Sequence, residues 1–406
     1  MRSLLLILAF VPVICLAQSK KISQANNYYD KGRYNEALAI YLQLEVNLTD
    51  IIEIAQNNLK IASCYYCLHQ PFKAVDYFKK TASSGYVLEP EQLIEYSNAL
   101  IESGNYKDAQ QLLQSSDAGL FMEDILLQKC TYALSNNTTD KSVSITLLND
   151  LPANSSFGIS LYRDILFFVL NLSEQRTQNL TFAYSGRQDE LLGNLANIEF
   201  PLNTNSPSFD IKNNILYFSA SAVDLVAYSN SGRNRKKIGA GDVNNLFIYT
   251  ANLSQEKTSP AALPFNHIDF SCTHPCISKD GKTLYFSSNM LGGYGGFDIY
   301  YTIKTESGWD LPQNMGPTVN SFLNEGYPFL TDDFLYFSSD GKPGYGGLDV
   351  FRLNFETTQI ENLGLPVNSS FDDFYFIQAT EKEGFFVSNR SGNHAADQIY
   401  RYYIGK

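Results

Sequence analysis

The sequence predicts a two-domain protein of the α + β class, in which an N-terminal all-α solenoid precedes an all-β propeller of about four to six blades. Three observations predict this fold. A Gly/aromatic/Ala pattern recurs at intervals of 37 and 35 residues in the first part of the chain. A Leu-Tyr-Phe-Ser strand recurs from residue 216 onward, and most of the 26 glycines lie in the same half. The two domains are therefore predicted at residues 21–172 and 177–406.

Residues 1–17 are predicted to be a cleaved secretory signal. Arg2 provides a basic start, an apolar run follows, and the small Ala17 precedes polar sequence. This order is typical of a signal peptide, so we expect the mature chain to be exported. Lipidation at Cys15 is the alternative, but the bulky Ile14 stands where lipoprotein processing favours a small residue.

Composition and charge exclude several functional classes. A formal net charge of −12 opposes binding to a phosphate backbone, so nucleic acid is not an expected partner. Outside the signal segment, the nearest approach to a membrane span is residues 165–172, which are far too few to cross a bilayer. A basic cluster at residues 233–237 lies in a stretch rich in Ser, Asn and Gly. It is interpreted as a solvated loop, with a contact patch as the alternative.

A recurring set of four positions predicts helix pairs in the N-terminal domain. The three copies are Gly32, Tyr34, Ala37 and Tyr41, then His69, Pro71, Ala74 and Phe78, then Gly104, Tyr106, Ala109 and Leu113. The glycine permits a tight turn between helices, and the small alanine lets the two helices approach closely. The aromatic side chain fills the groove one turn later. These residues are therefore predicted to pack the repeats.

The copies resemble tetratricopeptide (TPR) repeats, whose period is about 34 residues. The resemblance implies stacked helix pairs with a concave surface that takes a peptide or protein segment. A generic α-helical bundle is the alternative. Apolar periodicity predicts helices at 51–68 and 89–101, and further helices near 119–134 and 155–172. Cys64 and Cys67 lie within the first of these and are interpreted as core residues, not as a redox pair.

From about residue 200 the pattern is that of short β-strands. Leu-Tyr-Phe-Ser and its relatives occur at 216–219, 284–287, 335–338 and 384–388. The spacing from Pro275 to Pro328 is 53 residues, which suits a four-stranded blade with a long loop. Only four good copies are visible, so the first blade is expected to be degenerate. Residues 177–200 are expected to supply either a partial blade or the strand that closes the ring.

A glycine-rich turn and an aspartate follow these strands. GGYGGFDIYYT at 292–302 and PGYGGLDVFRL at 343–353 are two copies of one loop and strand. Phosphate binding is not expected, because the loop joins two strands and lacks the following helix and Lys-Ser/Thr of a nucleotide-binding loop. Asp298, Asp349 and Asp397 occupy equivalent places. This equivalence favours turn-capping hydrogen bonds, with a calcium site as the alternative.

Two further signals complete the predicted blade. Asp280-Gly281 predicts a hairpin with a type I′ turn. Polar outer strands that end in Asn are predicted at 316–320, 364–368 and 200–203. The predicted blade-motif residues are Tyr217, Phe218, Pro275, Asp280, Gly281, Tyr285, Phe286, Gly295, Gly296, Asp298, Pro328, Tyr336, Phe337, Gly346, Gly347, Asp349 and Asp397.

The C-terminal domain resembles the WD40-like propeller repeats of bacterial envelope proteins, including the propeller of the Tol system. HPCISKDGKTLYFSSN at 274–289, the W-x-x-P-x-N-x-G-x-x-x-N run at 309–320 and DGKPGYGGLDVF at 340–351 carry this resemblance. With the TPR-like copies, the order is most similar to Bacteroidota TPR-propeller proteins associated with type IX secretion and gliding, and to their OmpA-like relatives. Such relatives commonly continue into an OmpA-like domain. Because this chain stops at Lys406, we do not expect direct peptidoglycan binding.

The resemblance also implies a location and a class of partner. It implies a periplasmic protein, possible association with the inner face of the outer membrane, and protein partners in the cell envelope. An outer-membrane β-barrel is the first partner that it suggests. These expectations come from the resemblance alone.

The sequence offers little catalytic chemistry. It contains neither G-x-S-x-G nor H-E-x-x-H, so the chain is expected to be non-enzymatic and to need no cofactor. Cys272-x-His274-x-Cys276, with Asp269 nearby, has the residue types of a zinc site. Pro275 interrupts any regular strand at that place. A local disulfide and free structural thiols are the alternatives to metal binding.

Two hypotheses from different functional classes follow. The favoured one is a scaffold or adaptor, in which the solenoid binds one protein segment and the propeller another. The alternative is a glycan- or peptide-binding accessory propeller of an envelope hydrolase system. Glycan sites favour exposed Trp platforms, and the only Trp is Trp309, where packing between blades is expected. This favours the scaffold.

Overall fold

The computed structural model describes residues 18–115, 119, 121–148, 156–162, 165–170, 180–185, 190–191, 205–221, 245–255, 260–390 and 397–405. The chain forms two compact units, and the boundary between them lies between Ser135 and Asn136. The predicted signal segment and the basic cluster at 233–237 lie outside the described residues. Within the described residues, no helix is both long and apolar enough to span a membrane.

The first unit is helical, and from its second helix onward each helix packs against the next. The helices are α1 (18–30), α2 (Tyr34–Glu45), α3 (Ile51–Cys67), α4 (Pro71–Ser83), α5 (Pro90–Glu102), α6 (Tyr106–Gln114) and α7 (Phe121–Ser135). The helices predicted at 51–68, 89–101 and 119–134 are confirmed as α3, α5 and α7. Asp50 caps the start of α3 by accepting hydrogen bonds from the N–H groups of Ile52 and Glu53.

The three predicted inter-helix turns share one geometry. Gly32, His69 and Gly104 adopt left-handed φ angles of 70°, 51° and 76°. The N–H of the residue that follows each of them donates to the carbonyl five residues back, at 2.8–2.9 Å in all three turns. This is the Schellman arrangement that commonly ends helices. The copy at His69 is therefore equivalent to the other two, although it lacks the glycine.

Small and aromatic residues at the predicted packing positions fill two apolar clusters. The fully or almost fully buried ones are Ala37, Tyr41, Ala74, Phe78, Ala109 and Leu113. Tyr34 is less buried and packs edge-on against Tyr29, with 5.4 Å between the ring centroids. Tyr106 is also partly buried and packs against the cluster that contains Phe78 and Ala109.

The second unit consists of antiparallel sheets, five of which lie in its described residues. The strand before the first complete sheet is β1 (Val143–Leu147), and that sheet contains β2 (Ser156–Tyr162), β3 (Ile165–Leu170), β4 (Leu180–Ser185) and β5 (Glu190–Leu191). The second contains β6 (Asn205–Asp210), β7 (Ile215–Ser221), β8 (Leu246–Asn252) and β9 (Ala261–Ala262). The third contains β10 (Cys272–Ile277), β11 (Thr283–Ser288), β12 (Asp298–Thr305), β13 (Gly308–Trp309) and β14 (Gln313–Asn314).

The remaining sheets follow the same plan. The fourth contains β15 (Glu325–Leu330), β16 (Phe334–Ser339), β17 (Asp349–Asn354) and β18 (Ile360–Asn362), and the fifth contains β19 (Asp373–Thr380), β20 (Glu383–Ser388) and β21 (Gln398–Ile404). The inner strands β2, β6, β10, β15 and β19 contact one another in this order, and β19 contacts β2. The sheets are thus the blades of a propeller.

The ring is closed by β1, which completes the fifth sheet. It pairs antiparallel with β21, from Val143 opposite Ile404 to Leu147 opposite Tyr400. The last blade therefore combines the first strand of the unit with its final three. This pairing ties the two ends of the propeller together and leaves neither end as an open sheet edge.

The helix predicted at 155–172, and with it the domain boundary at 172–177, is wrong. Residues 156–162 and 165–170 form β2 and β3 of the first blade. The apolar run ILFFVL carries no periodicity that separates a buried strand from a buried helix, and its β-branched and aromatic content suits a strand. From the predicted 177–200 segment, β4 and β5 are outer strands of this first blade, whereas β1 closes the ring.

Two details of the predicted blade are also wrong. The hairpin at Asp280-Gly281 is present, but only Gly281 has a positive φ, of 74°, so the turn is not type I′. The flanking strands pair through the backbone at Ser278 and Thr283, and residues 279–282 form the loop between them. The loop is therefore longer than the two residues of a type I′ hairpin. Asp280 Oδ1 stabilises the loop by accepting from Lys282 N at 3.0 Å.

The segments 316–320 and 364–368 are turns, not outer strands. The side chain of the final Asn in each segment makes the two backbone hydrogen bonds that a neighbouring strand would make. Asn320 Oδ1 accepts from Ile299 N at 2.7 Å, and its Nδ2 donates to Ile299 O at 3.0 Å. Two further pairs repeat this arrangement, Asn368 with Val350 and Asn266 with Ile248. The predicted segment at 200–203 lies outside the described residues.

Candidate functional site

Each inner strand carries a β-bulge at an equivalent place around the axis, and β19 has a second register shift between Gln378 and Thr380. The register shifts between Phe157 and Ser160, Asn205 and Ser208, Thr273 and Cys276, Gly326 and Phe329, and Phe374 and Ile377. Each bulge contains one residue with a left-handed φ of 50–73°, namely Gly158, Ser206, His274, Tyr327 and Tyr375. A bulge re-aims its side chain out of the regular alternation of the strand. We call these five residues the axial ring.

Side chains of the axial ring meet one another, although they come from different blades. The rings of His274 and Tyr327 lie 4.0 Å apart, and those of Tyr327 and Tyr375 lie 4.4 Å apart. The hydroxyl groups of Tyr375 and Ser206 are hydrogen bonded to each other. The blades are thus joined at the axis by direct side-chain contacts.

Burial keeps the axial ring uncharged. It lowers the pKa of His274 to about 3, because the imidazolium would lose its hydration. Burial also raises the pKa of Tyr327 and of Tyr375 above the ordinary range for tyrosine. His274 Nδ1 is buried and has no hydrogen-bond partner. At neutral pH the axial ring is therefore a set of neutral groups that stack and exchange hydrogen bonds.

A small cavity adjoins the axial ring. Its volume is about 100 Å³, and Ser206, His274, Tyr327 and Tyr375 line it together with residues that follow them on the inner strands. Pro275 and Pro328, both predicted blade residues, are among its lining. The volume is well below the 300–1,000 Å³ or so of sites that enclose organic ligands. It has room for a few water molecules.

The Cys272-x-His274-x-Cys276 motif is divided by this bulge. Both thiols are free and buried, so the disulfide alternative is wrong. Burial raises the pKa of each thiol to about 12, which disfavours the thiolate that a metal or a nucleophilic reaction requires. Among the described residues, no three His, Cys, Asp or Glu lie close enough to hold a metal ion.

The glycine-rich loops connect the second strand to the third strand in blades three and four, that is, β11 to β12 and β16 to β17. Asp298 accepts hydrogen bonds from the N–H groups of Tyr294 at 2.6 Å and Gly295 at 3.1 Å. Asp349 accepts from Tyr345 at 2.8 Å and Gly346 at 3.1 Å. These are turn-capping hydrogen bonds of the kind expected from the sequence.

The third aspartate of the series, Asp397, directly precedes β21. Burial raises its pKa to about 6, and the negative charge of Asp372 contributes to the rise. The carboxyl group is therefore only partly ionised near pH 6. Residues 391–396, which would correspond to the glycine-rich loop, lie outside the described residues.

The paired glycines of these loops provide close contact between blades. A Cβ atom on Gly295 would lie 2.2 Å from the carbonyl oxygen of Leu323, and one on Gly346 would lie 2.2 Å from that of Phe371. Both carbonyls belong to the connection that leads into the next blade. Gly296 and Gly347 instead face side chains, those of Asn324 and Asp372. The sequence predicted a turn here and missed the contact.

The aromatic pairs of the recurring strand pack on both faces of each blade. Phe218, Phe286 and Phe337 are almost fully buried, as are Tyr217 and Tyr336. Tyr285 is partly exposed and its ring lies 5.8 Å from that of Tyr301. Sequence reasoning missed Ser206, Tyr327 and Tyr375 of the axial ring. One signal was present, since Ser206, His274 and Tyr327 each precede a proline.

A wider groove lies near the hairpins that join the first two strands of the blades. Its volume is about 780 Å³, and its lining includes the aromatic side chains of Tyr285, Phe329 and Phe355. An exposed ion pair crosses its rim, with 3.3 Å between Lys279 Nζ and Asp332 Oδ2. The groove is large enough for a small organic ligand.

No known protein family and no curated protein matches the chain. Solved structures with partial similarity include a thermostable family-43 glycoside hydrolase, at 12% identity over 66% of this chain and 91% of that one, with a TM-score of 0.39. A protein described as TolB from Agrobacterium tumefaciens is similar at 12% identity over 61% of this chain and 76% of that one, with a TM-score of 0.37.

A third similar structure is prolyl oligopeptidase B from Galerina marginata, at 11% identity and a TM-score of 0.34. The match covers 61% of this chain but only 34% of the oligopeptidase. The chain thus spans about a third of that enzyme. All three scores and identities are too low to transfer an activity or a partner to this chain.

Proposed function

We propose that this protein is a non-enzymatic scaffold of the cell envelope, in which a TPR-type solenoid and a WD40-like propeller each bind a protein partner. In this proposal residues 1–17 direct export to the periplasm, and the partners lie at the inner face of the outer membrane, as in a type IX secretion or gliding assembly. The TPR assignment is supported by the shared left-handed turn at Gly32, His69 and Gly104.

One observation carries the binding role: both units expose large apolar side chains. In the helical unit Ile52 is 60% exposed and Phe72 is 59% exposed. In the propeller Ile268 is 59% exposed and Leu311 is 85% exposed. We infer that these side chains contribute to contact surfaces, because the recurring motif residues instead serve packing and turns.

An affinity pull-down from detergent-solubilised envelope tests the proposal. The tagged full chain is compared with two variants, Ile52→Glu/Phe72→Glu in the helical unit and Ile268→Glu/Leu311→Glu in the propeller. We expect defined envelope proteins to be retained by the wild-type chain, and each variant to lose a different one. Retention of no envelope protein, or of the same set by all three chains, would contradict the scaffold.

A second candidate function is binding of a glycan or peptide by the propeller. The groove lined by Tyr285, Phe329 and Phe355 favours it, because aromatic faces and a charged rim suit such ligands. Calorimetry with envelope glycans and short peptides tests it, with Phe355→Ala as the groove variant. Binding that Phe355→Ala abolishes would support this function, and an unchanged affinity would exclude the groove.

A further inference from the structure

The groove beside the hairpins is a continuous surface, because the blades that form it contact one another there. A Cβ atom built on Gly281 in blade three would lie 2.6 Å from Asp210 Oδ2, so the blade-two turn that carries Lys212 packs closely against it. The ion pair of Lys279 and Asp332 joins the hairpins of blades three and four. These contacts hold the hairpin ends of three blades together.

An exposed aromatic ring stands on a fixed turn at this groove. Phe355 is 39% exposed, and its backbone N–H donates to Asp333 O at 3.0 Å. Asn354 Oδ1 accepts from the N–H groups of Glu356 and Thr357, each at 2.9 Å. Three hydrogen bonds therefore fix the turn. An aromatic side chain on such a turn is already in place for a ligand, which lowers the entropy cost of binding.

Phe355, and not the single tryptophan, provides the aromatic platform of this surface. Trp309 packs edge-on against Tyr217, with 6.2 Å between the ring centroids, and does not line the groove. Tyr285 does line it, and the neighbouring ring of Tyr301 supports it at 5.8 Å. The groove therefore presents aromatic rings whose positions are set by the blade.

Gln378 offers hydrogen-bond donors to a ligand. Its Oε1 accepts from Tyr336 Oη at 3.0 Å, which holds the side chain in place and leaves the amide N–H groups to donate. The hydroxyl of Ser278, by contrast, already donates to Asp280 at 2.7 Å and accepts from Thr283 N at 2.9 Å. Hydrogen bonding to a ligand is therefore left mainly to amide, ammonium and carboxylate groups.

The charges that line the groove cancel. Lys212, Lys279, Asp280 and Asp332 supply two positive and two negative groups. The side chains of Lys279 and Asp332 are 85% and 78% exposed, so both can reach a ligand at the rim. An anionic ligand gains little from this lining and is opposed by the net charge of −12 on the chain. A neutral ligand that both donates and accepts hydrogen bonds is favoured.

The backbone at the groove does not present a free strand edge in the described residues that line it. Its hairpin ends use their backbone groups internally: Ser278 N donates to Thr283 O at 2.8 Å, and Thr331 N donates to Phe334 O at 2.9 Å. Many extended peptides bind by adding a strand to a free edge. Recognition here falls to side chains instead, which favours a saccharide over an extended peptide.

We propose that this groove binds a short neutral oligosaccharide. The C–H face of one sugar ring packs on Phe355, and hydroxyl groups of the saccharide bond with Gln378 Nε2 and with the exposed Lys279–Asp332 pair. The inference rests on the second candidate function of the propeller. It narrows the ligand of that function from a glycan or a peptide to a neutral glycan.

Calorimetric titration of the full chain with defined tetrasaccharides tests this inference. The neutral probes are cellotetraose, chitotetraose and maltotetraose, and tetragalacturonate is the acidic comparison. Phe355→Leu removes the aromatic face but keeps an apolar side chain, whereas Phe355→Tyr keeps the ring. Gln378→Glu removes the amide donors with little change of shape. Phe322→Leu is the matched control, because Phe322 is 67% exposed and does not line the groove.

We expect at least one neutral tetrasaccharide to bind saturably and more tightly than tetragalacturonate. Phe355→Leu should weaken that binding about tenfold, and Phe355→Tyr should change it by less than about twofold. Gln378→Glu should weaken it about fivefold, which corresponds to the loss of one hydrogen bond. Phe322→Leu should leave the affinity unchanged. Thermal melts check that every variant is folded.

Four results would overturn the inference: no binding of any neutral probe, tighter binding of tetragalacturonate, equal affinities of wild type and Phe355→Leu, or an equal loss in Phe322→Leu. Its failure is distinguishable from failure of the candidate function on which it rests. If peptides bind and Phe355→Ala abolishes that binding while no sugar binds, the groove is a ligand site and only the choice of a neutral glycan is wrong. The scaffold is tested separately by the envelope pull-down.

Discussion

The recurring turn glycines of the helical unit act within one helix pair, whereas those of the propeller loops act between neighbouring blades. Gly32 and Gly104 serve a turn between two consecutive helices, and no atom lies within 4 Å of a Cβ built on either. Gly295, by contrast, packs its backbone against Leu323 of the connection to the next blade. A substitution at one of these helical turns therefore stays local, and His69 shows that a residue other than glycine is tolerated there.

Side-chain hydrogen bonds also join neighbouring blades. Ser287, from the recurring Tyr-Phe-Ser strand, donates to the carbonyl of Glu325 on the inner strand of the next blade at 2.6 Å. Ser219 accepts from Thr273 and from the N–H of His274 across the preceding boundary. Each blade is thus held by groups from its neighbour. Because the ring is closed, substitutions at these boundaries are expected to affect the whole unit.

The largest expected effect is that of Gly295→Ala. The added Cβ would lie 2.2 Å from a backbone carbonyl oxygen, which cannot move without displacing the next blade. We expect the free energy of unfolding of the propeller to fall by about 3 kcal/mol. Urea denaturation, followed by the β-sheet circular dichroism signal, measures it. Gly296→Ala is the matched control, because its Cβ would meet the Asn324 side chain, which can move at the cost of its hydrogen bonds without displacing a backbone. Equal losses for both variants would contradict the argument from backbone contact.

The next effect is that of Asn320→Ala, which removes the amide that pairs with both backbone groups of Ile299. The buried Ile299 N would lose its acceptor, whereas Ile299 O would still accept from Met315 N, so we expect about 2 kcal/mol less stability in denaturant. Asn368→Ala is the matched comparison, since it removes the same pairing from Val350 in the next blade and should cost about as much. Unchanged stability of both variants would show that this pairing does not stabilise the blades.

The burial of His274 in the axial ring predicts that the free energy of unfolding depends on pH. Its pKa is about 3 in the folded chain because of burial, and it returns to the ordinary value near 6.5 on unfolding. The unfolded state therefore binds a proton first as pH falls, so this group contributes stability above about pH 6.5 that is lost progressively down to about pH 3. Between pH 7 and pH 5 the loss from this residue is about 2 kcal/mol.

The variant His274→Phe should remove this component, because an aromatic ring of similar shape carries no titrating group there. The difference in unfolding free energy between wild type and variant is measured at each pH, which cancels the titration of the carboxyl groups common to both. That difference should shift in favour of the variant below pH 6.5. Parallel profiles from pH 7 to pH 5 would exclude His274 as the source.

The smallest effects lie in the helical turns. Gly104→Ala places a Cβ on a residue with a φ of 76°, so we expect about 1 kcal/mol of destabilisation. His69→Gly should act in the opposite sense, by about 0.5–1 kcal/mol, because it relieves a left-handed residue with a φ of 51°. Thermal unfolding of the helical unit measures both. Destabilisation by His69→Gly would mean that contacts of the imidazole outweigh the backbone strain.

The sequence was sufficient wherever the signal was local and repeated. The turn at His69 could be placed although it lacks glycine, because Ala74 and Phe78 follow at the same offsets as in the other copies. The blade strands at 284–287 and 335–338 could be placed for the same reason. It was insufficient at 155–172, where an apolar run without clear periodicity belongs to β2 and β3. Type I′ geometry at Asp280-Gly281 also failed, since the register of the flanking strands sets the length of that loop.

The sequence by itself determined the helix pairs, their turns and the recurring strands, because each depends on residues within one turn of helix or one hairpin. Only the tertiary structure decided how these strands close into a ring. The pairing of β1 with β21, the meeting of His274, Tyr327 and Tyr375 at the axis, and the contact of Tyr345 with Asn136 all join residues far apart in the chain. Such contacts leave no periodic trace, since the partner of each residue is fixed by the path of the backbone and not by its neighbours in sequence.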